Sequence, residues 1–129
     1  YEGPGLIKKI NKALIEKNSK KCYQIVKFFG DNTRDNPITP NLIILYNFFS
    51  KVLLLHALKN RPDNELATIM GVNAYFLKDY KKAAQSYPIG QLMKVIHHIR
   101  IADQKSKGVE AGMTSEGDLY IDLIFNILN

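Results

Sequence analysis

One cysteine, five prolines and eight glycines in 129 residues leave this chain few breaks and no covalent staples. Cys22 alone cannot close an internal disulfide, which excludes a small bridge-stapled secreted scaffold and fits a reducing compartment. No secretory leader is legible, because residues 1–5 run directly into a lysine-rich amphipathic stretch. Tyr1 stands where an initiator Met would, so the chain is expected to be a piece of a longer protein. There is no period-two strand pattern, no repeat of ~20–50 residues, and no glycine-rich phosphate loop of the Walker or dinucleotide type.

What remains reads as helix from end to end, and the expected fold is all-α, a bundle of six or seven helices within a single domain over residues 1–129. Apolar residues make up 46% of the chain and charged ones 23%, the balance of an ordinary globular domain. Leu6, Ile7, Ile10, Leu14 and Ile15 recur at helical spacing with lysines opposite. Ser19 is placed to cap a second helix bearing Cys22, Ile25, Val26 and Phe29 and closed by Gly30. With the polar connector that ends at Pro37, residues 1–36 form an opening helical hairpin and its exit.

Residues 41–58 are apolar around almost the whole helical circumference, Leu53 and Leu54 included, and so are expected at the centre of the bundle. At the lower limit of ~17 residues the run is long enough for a bilayer. Lys51 near its middle would cost ~2.5–3.5 kcal/mol to insert, which favours a buried helix over a membrane span. Asp63 is expected to cap a short helix, Asn73 the next, which presents Phe76, Leu77, Tyr80 and Ala84 on one side. Pro88 begins a longer helix with Ile89, Leu92, Met93, Ile96 and Ile99. A loop over residues 109–113 and a cap at Thr114 or Ser115 lead to a final helix striped by Leu119, Tyr120, Leu123, Ile124, Ile127 and Leu128.

The net charge of +6 is unevenly spread. Residues 1–27 hold seven Lys against two Glu, and residues 78–107 hold six Lys and Arg100 against Asp79 and Asp103. Residues 108–129 hold four acids and no base, so this tail is expected to lie against basic helices. A basic balance is compatible with a nucleic-acid partner, but solvated lysine faces on helices are the commoner origin of such a surplus.

Chemistry-bearing residues are sparse. His97 and His98 are adjacent and point ~100° apart on a helix, unsuited to one metal, and Cys22 has no partner at ligand spacing. Cys22 also lacks a base, so a buried packing thiol is expected rather than a nucleophile. Asp103 and Lys107, four apart, read as a helical ion pair. The sequence therefore points to no catalytic residue, no metal, no cofactor and no enzymatic activity.

Two readings compete over residues 63–84. Ala67, Gly71 and Leu77 supply the small residue, left-handed turn and apolar anchor of a helix-turn-helix DNA-binding regulator. Asn73 would then read a base while Lys78, Lys81 and Lys82 held phosphates. Against this, Tyr75 and Phe76 put two large rings where a reader offers polar side chains, and Asp79 adds a like charge to DNA.

The second reading comes from resemblance. Met70, Gly71, Val72, Tyr75, Phe76, Lys78, Tyr80, Ala83, Ala84 and Tyr87 follow a spaced family pattern, and Asp103 with Ser106-Lys107-Gly108 matches its closing mark. In that order, with the long apolar helix before and the leucine-rich helix after, nearly the whole chain resembles the C-terminal domain of the delta subunit of bacterial DNA polymerase III. The resemblance implies a collar domain of the clamp loader, packed side by side with four others in a pentameric ring in the bacterial cytoplasm. It implies other clamp-loader subunits as partners, and DNA only indirectly through the complex, with no membrane. The sliding clamp would be gripped through two preceding modules absent from this sequence. That family lacks a working phosphate loop. Tyr75, Phe76, Lys78, Tyr80, Lys81 and Lys82 are the candidate partner interface under this reading.

Overall fold

A computed structural model describes residues 4–108 and 115–129 and, apart from one short 3-10 turn, builds them from seven α-helices with no strand among the described residues. These are α1 (Pro4–Ile15), α2 (Ser19–Asp31), α3 (Ile38–Leu58), α4 (Asp63–Met70), α5 (Leu77–Ser86), α6 (Ile89–Ser106) and α7 (Glu116–Leu128). The 3-10 turn Ala74–Phe76 precedes α5. The side chains of Leu6 and Ile7, the loop at 109–113 and the candidate cap Thr114 lie outside the described residues.

Six helices close a ring in the order α1, α2, α7, α6, α3, α5 and back to α1, each packing on the next, with α4 laid against α3. Amphipathic stripes at helical spacing fill the interior: Ile10 and Leu14 from α1, Ile25 and Phe29 from α2, Phe49 and Val52 from α3, Leu92 and Ile99 from α6, and Leu123 and Ile127 from α7. A satellite cluster of Leu55, Leu66, Met70 and Leu77 seats α4. Cys22 is fully buried among these side chains, as expected of a packing thiol.

Three local expectations need correction. Asn18, not Ser19, caps α2, its Oδ1 accepting from the Lys21 N–H at 3.1 Å after Lys17 turns left-handed at φ 52°. Gly30 does not close α2; the helix runs on to Asp31, and a Cβ on Gly30 would come within 2.9 Å of the Gly117 Cα. Its missing side chain instead lets α2 and α7 approach. Asp63 is the first residue of α4 rather than its side-chain cap, because Pro62 occupies the cap position.

The placement of α3 also differs from the sequence reading. It packs against α1, α4, α5 and α6, but its buried residues Ile38, Leu42, Leu45, Phe48, Phe49, Val52 and Leu55 follow one stripe. Ile43, Ile44 and Leu54 face outward, Leu54 at 38% exposure, while Leu53 is half-buried against the core. An apolar circumference thus signals two apolar faces here, one inside the ring and one outside. Length and composition alone would let α3 cross a bilayer, its mean hydropathy reaching 1.5.

Polar bonds tie distant segments together. The Glu116 carboxylate accepts from the Ile38 N–H at 2.7 Å, supplying from α7 the cap that Pro37 cannot give α3. Tyr120 donates to the carbonyl of buried Asn36 and accepts from Asn41 Nδ2, both at 3.0 Å. Tyr87, fully buried, donates to the Leu14 carbonyl while its own carbonyl meets His56 Nε2 at 3.0 Å. That one residue joins α1, α3 and the α5–α6 corner.

Candidate partner-binding surfaces

The α4–α5 corner is built by local backbone chemistry. Gly71 takes the left-handed conformation, φ 69° and ψ 35°, and the Val72 N–H returns to the Ala67 carbonyl at 3.0 Å, which closes α4. Asn73 then accepts from the Tyr75 N–H at 2.8 Å and starts the 3-10 turn, as the sequence predicts. Held this way, Tyr75 and Phe76 project outward at 67% and 47% exposure, their rings edge to face at 5.2 Å. Exposed Ile69 lies on α4, just before the same corner.

The six candidate interface residues do not share one face. Tyr75, Phe76, Lys78, Lys81 and Lys82 are exposed. Tyr80 turns inward, half-buried with its ring 5.1 Å from Phe48, and burial, seconded by Asp79, raises its phenol pKa. Its ring thus packs within the domain, against α3. Phe76 leaves the inward side expected for it beside Leu77 and Ala84, because the 3-10 turn breaks the α-helical phase before α5 begins.

The lysines of this corner are already engaged. Lys78 Nζ sits 4.6 Å from the Tyr75 ring centroid, Lys81 bonds Asp63 at 2.5 Å, and Lys82 approaches Glu16 at 3.9 Å. Exposed pairs of this kind contribute only ~0–1 kcal/mol each, so they leave the lysines free to change partner. Asp103 and Lys107 form the expected pair at 3.0 Å.

Elsewhere the chemistry is quiet. Burial raises the Cys22 thiol to about 11, far from a reactive thiolate. His98 is lowered by burial first, then by His97 and Lys94. Among the described residues no group of three His, Cys, Asp or Glu side chains is placed to hold a metal ion. An open cleft between α2 and α7 is lined by Tyr23, Lys27, Asp31 and Glu116, but Lys27 and Asp31 face each other at 3.7 Å and Glu116 is spent on α3.

Sequence reasoning missed the outer apolar positions of α3 and α6. Ile43 and Leu54, with Ile89 and Met93, are 38–58% exposed. Ile89 and Met93 stand with Leu92, Ile96 and Ile99 in the sequence reading, which does not separate the outward positions from the inward ones. For Met93 the signal was present, since it falls one position after Leu92 and off the stripe of buried Leu92, Val95, Ile96 and Ile99. Ile89, three before Leu92 and seven before Ile96, is in phase with that stripe and is exposed at the first turn of the helix. Comparison with protein-family models, curated proteins and solved structures finds no match to this chain.

Proposed function

We propose that this chain is a non-catalytic assembly domain in bacterial DNA replication, the collar domain of a clamp-loader delta subunit. Its role would be to hold that subunit in a pentameric ring in the cytoplasm while other modules open the sliding clamp. The observation that carries this reading is the Tyr75–Phe76 pair, two large rings presented by a capped turn inside the segment that resembles the delta family. Aromatic side chains are enriched at protein interfaces and act there as anchors.

Co-purification with bacterial clamp-loader subunits tests it. The chain should form a stable complex with sister subunits, and Tyr75→Ala/Phe76→Ala should weaken that complex while leaving helicity unchanged. A chain that joins no such subunit, yet binds free duplex DNA tightly, would sink the reading. The helix-turn-helix alternative retains one specific observation in its favour: Asn73, Tyr75 and Lys78 are all exposed at the start of the second helix.

A further inference from the structure

Two outer faces of the helical ring are apolar, and they differ in charge. The first follows the seam of α3 and α6. His56 meets the Tyr87 carbonyl at 3.0 Å, and Arg100 donates to the Tyr46 hydroxyl at 3.3 Å, so the two helices run antiparallel in a fixed register. That register sets Leu54 across from the first turn of α6 and Ser50 across from the second. Leu54, Ile89 and Met93 therefore border one end of the seam, exposed by 38, 53 and 58%. Ile43, 56% exposed, lies toward its other end beyond the Tyr46–Arg100 bond. Lys51, Lys94 and Arg100 stand on the same two helices, whose one acid, Asp103, is held by Lys107.

The second face is the outer stripe of α7. Asp118, Ile121, Asp122 and Phe125 recur at the spacing that puts residues on one side of a helix, and all four are exposed. Ile121 and Phe125 are 44% and 56% exposed, and α7 contains no base.

We propose that the α7 stripe of one copy of this chain docks along the α3–α6 seam of a second copy. Ile121 and Phe125 enter the seam, while Asp118 and Asp122 face the cations along its rim. A single helix with an i, i+3, i+4, i+7 pattern lying in a two-helix groove is a common recognition mode, and its ridge fits between the ridges of the pair. Pairing like faces is disfavoured, since two seams would oppose cations and two stripes would oppose carboxylates. Of the remaining lysines, Lys20, Lys21 and Lys27 lie on α2 beside α7, with Lys27 paired to Asp31. Those of α1 and α5 stand across the ring from α6 and α7. Repulsion from that side is screened beyond ~8 Å at physiological salt.

Donor and acceptor faces belong to different helices, so a copy engaged through α7 still offers its seam. Association then proceeds past a dimer, to an open chain or a closed ring. This inference is independent of the replication reading, because it requires neither a sister subunit nor DNA.

Sedimentation of the purified full chain over a wide concentration range tests it. The mass should grow past that of a dimer. Leu54→Glu/Met93→Glu, which spoils the seam, and Asp122→Lys/Phe125→Ser, which spoils the stripe, should each weaken self-association about tenfold or more. Mixed together, each variant keeps the face the other has lost, and the mixture should stop at a one-to-one dimer. Should either double variant lose helicity, Met93→Lys and Phe125→Asp pose the same question at positions more than half exposed. A wild-type chain that stays monomeric throughout, variants that associate as the wild type does, or a mixture that forms no dimer would each overturn the proposal. A monomeric chain that still joins clamp-loader subunits would overturn it while leaving the collar reading standing.

Discussion

Gly30 and Gly117 face each other where α2 crosses α7, and the two substitutions that look alike there are not equivalent. A Cβ on Gly30 would lie 2.9 Å from the Gly117 Cα, whereas one on Gly117 would find nothing nearer than 3.6 Å. Gly30→Ala must push the helices apart and should cost ~1–3 kcal/mol. Gly117→Ala should be near neutral, since ordinary contact and better helix propensity offset its small crowding. Gly71→Ala has open space but a φ of +69°, so its expected cost of ~1–2 kcal/mol is conformational. Urea midpoints for the three variants test the ranking, and equal losses at Gly30 and Gly117 would contradict the close approach. Cys22 makes a second residue-scale prediction. Burial raises its pKa from 9.0 to about 11, so above 9 the folded state holds a proton that the unfolded state has released. Stability from this group is complete below pH 9 and falls as pH rises toward 11. Burial likewise raises Tyr120 to about 12, which extends the same trend upward. Thermal melts should show this alkaline decline, and the thiol should resist alkylation in the native state until the chain is unfolded.

At the scale of the element, α3 depends on a residue 78 positions away. Its N-cap is Pro37, which offers no side-chain acceptor, and the first free N–H of the helix is bonded by Glu116. Glu116→Ala should cost ~0.5–2 kcal/mol, in the range of other lost helix caps, with hydrogen exchange accelerated at Ile38 and the following turn rather than at the far end of α3. Uniform acceleration along the helix would argue against a capping role. The two sides of α3 should also separate by mutation: Phe49→Ala should cost ~3–5 kcal/mol and Leu54→Ala well under that, because the first is fully buried and the second is not. Here lies the boundary of what the sequence shows. Helical periods, Asn73, Ser115 and the Gly71 turn are local signals and were legible. The Glu116 cap, the Gly30–Gly117 crossing and the outward face of α3 depend on which helices meet, and no local pattern encodes that. For a related reason Phe76 left the side expected for it, while Tyr80 stayed with Leu77 and Ala84. Three residues of 3-10 helix shift the phase, and a wheel drawn through them misassigns the Phe76 ring.

Across the whole molecule, the ring of helices sorts charge and apolar surface by direction. Lysines crowd α1, α2 and α5, while the carboxylates of α7 lie beside α2 and across the ring from α5. The lysine-bearing side decides between an assembly domain and a DNA reader. Lys81 and Lys82 already face Asp63 and Glu16, and Lys78 lies over the Tyr75 ring. In an assembly domain these contacts are small surface terms, so Lys78→Ala/Lys81→Ala/Lys82→Ala should leave the fold intact. Free-duplex affinity, weak at physiological salt, should hardly change, and sister-subunit binding should survive wherever Tyr75 and Phe76 provide the anchor. In a DNA reader the same three lysines would each neutralise a phosphate. Removing them should then lower affinity sharply and reduce the slope of log affinity against log salt by about three, one for each lost contact. Fluorescence anisotropy of a labelled duplex across a salt series, with wild type and triple variant side by side, measures both quantities. A tight, specific duplex complex that the triple variant abolishes would replace the collar reading with the helix-turn-helix one.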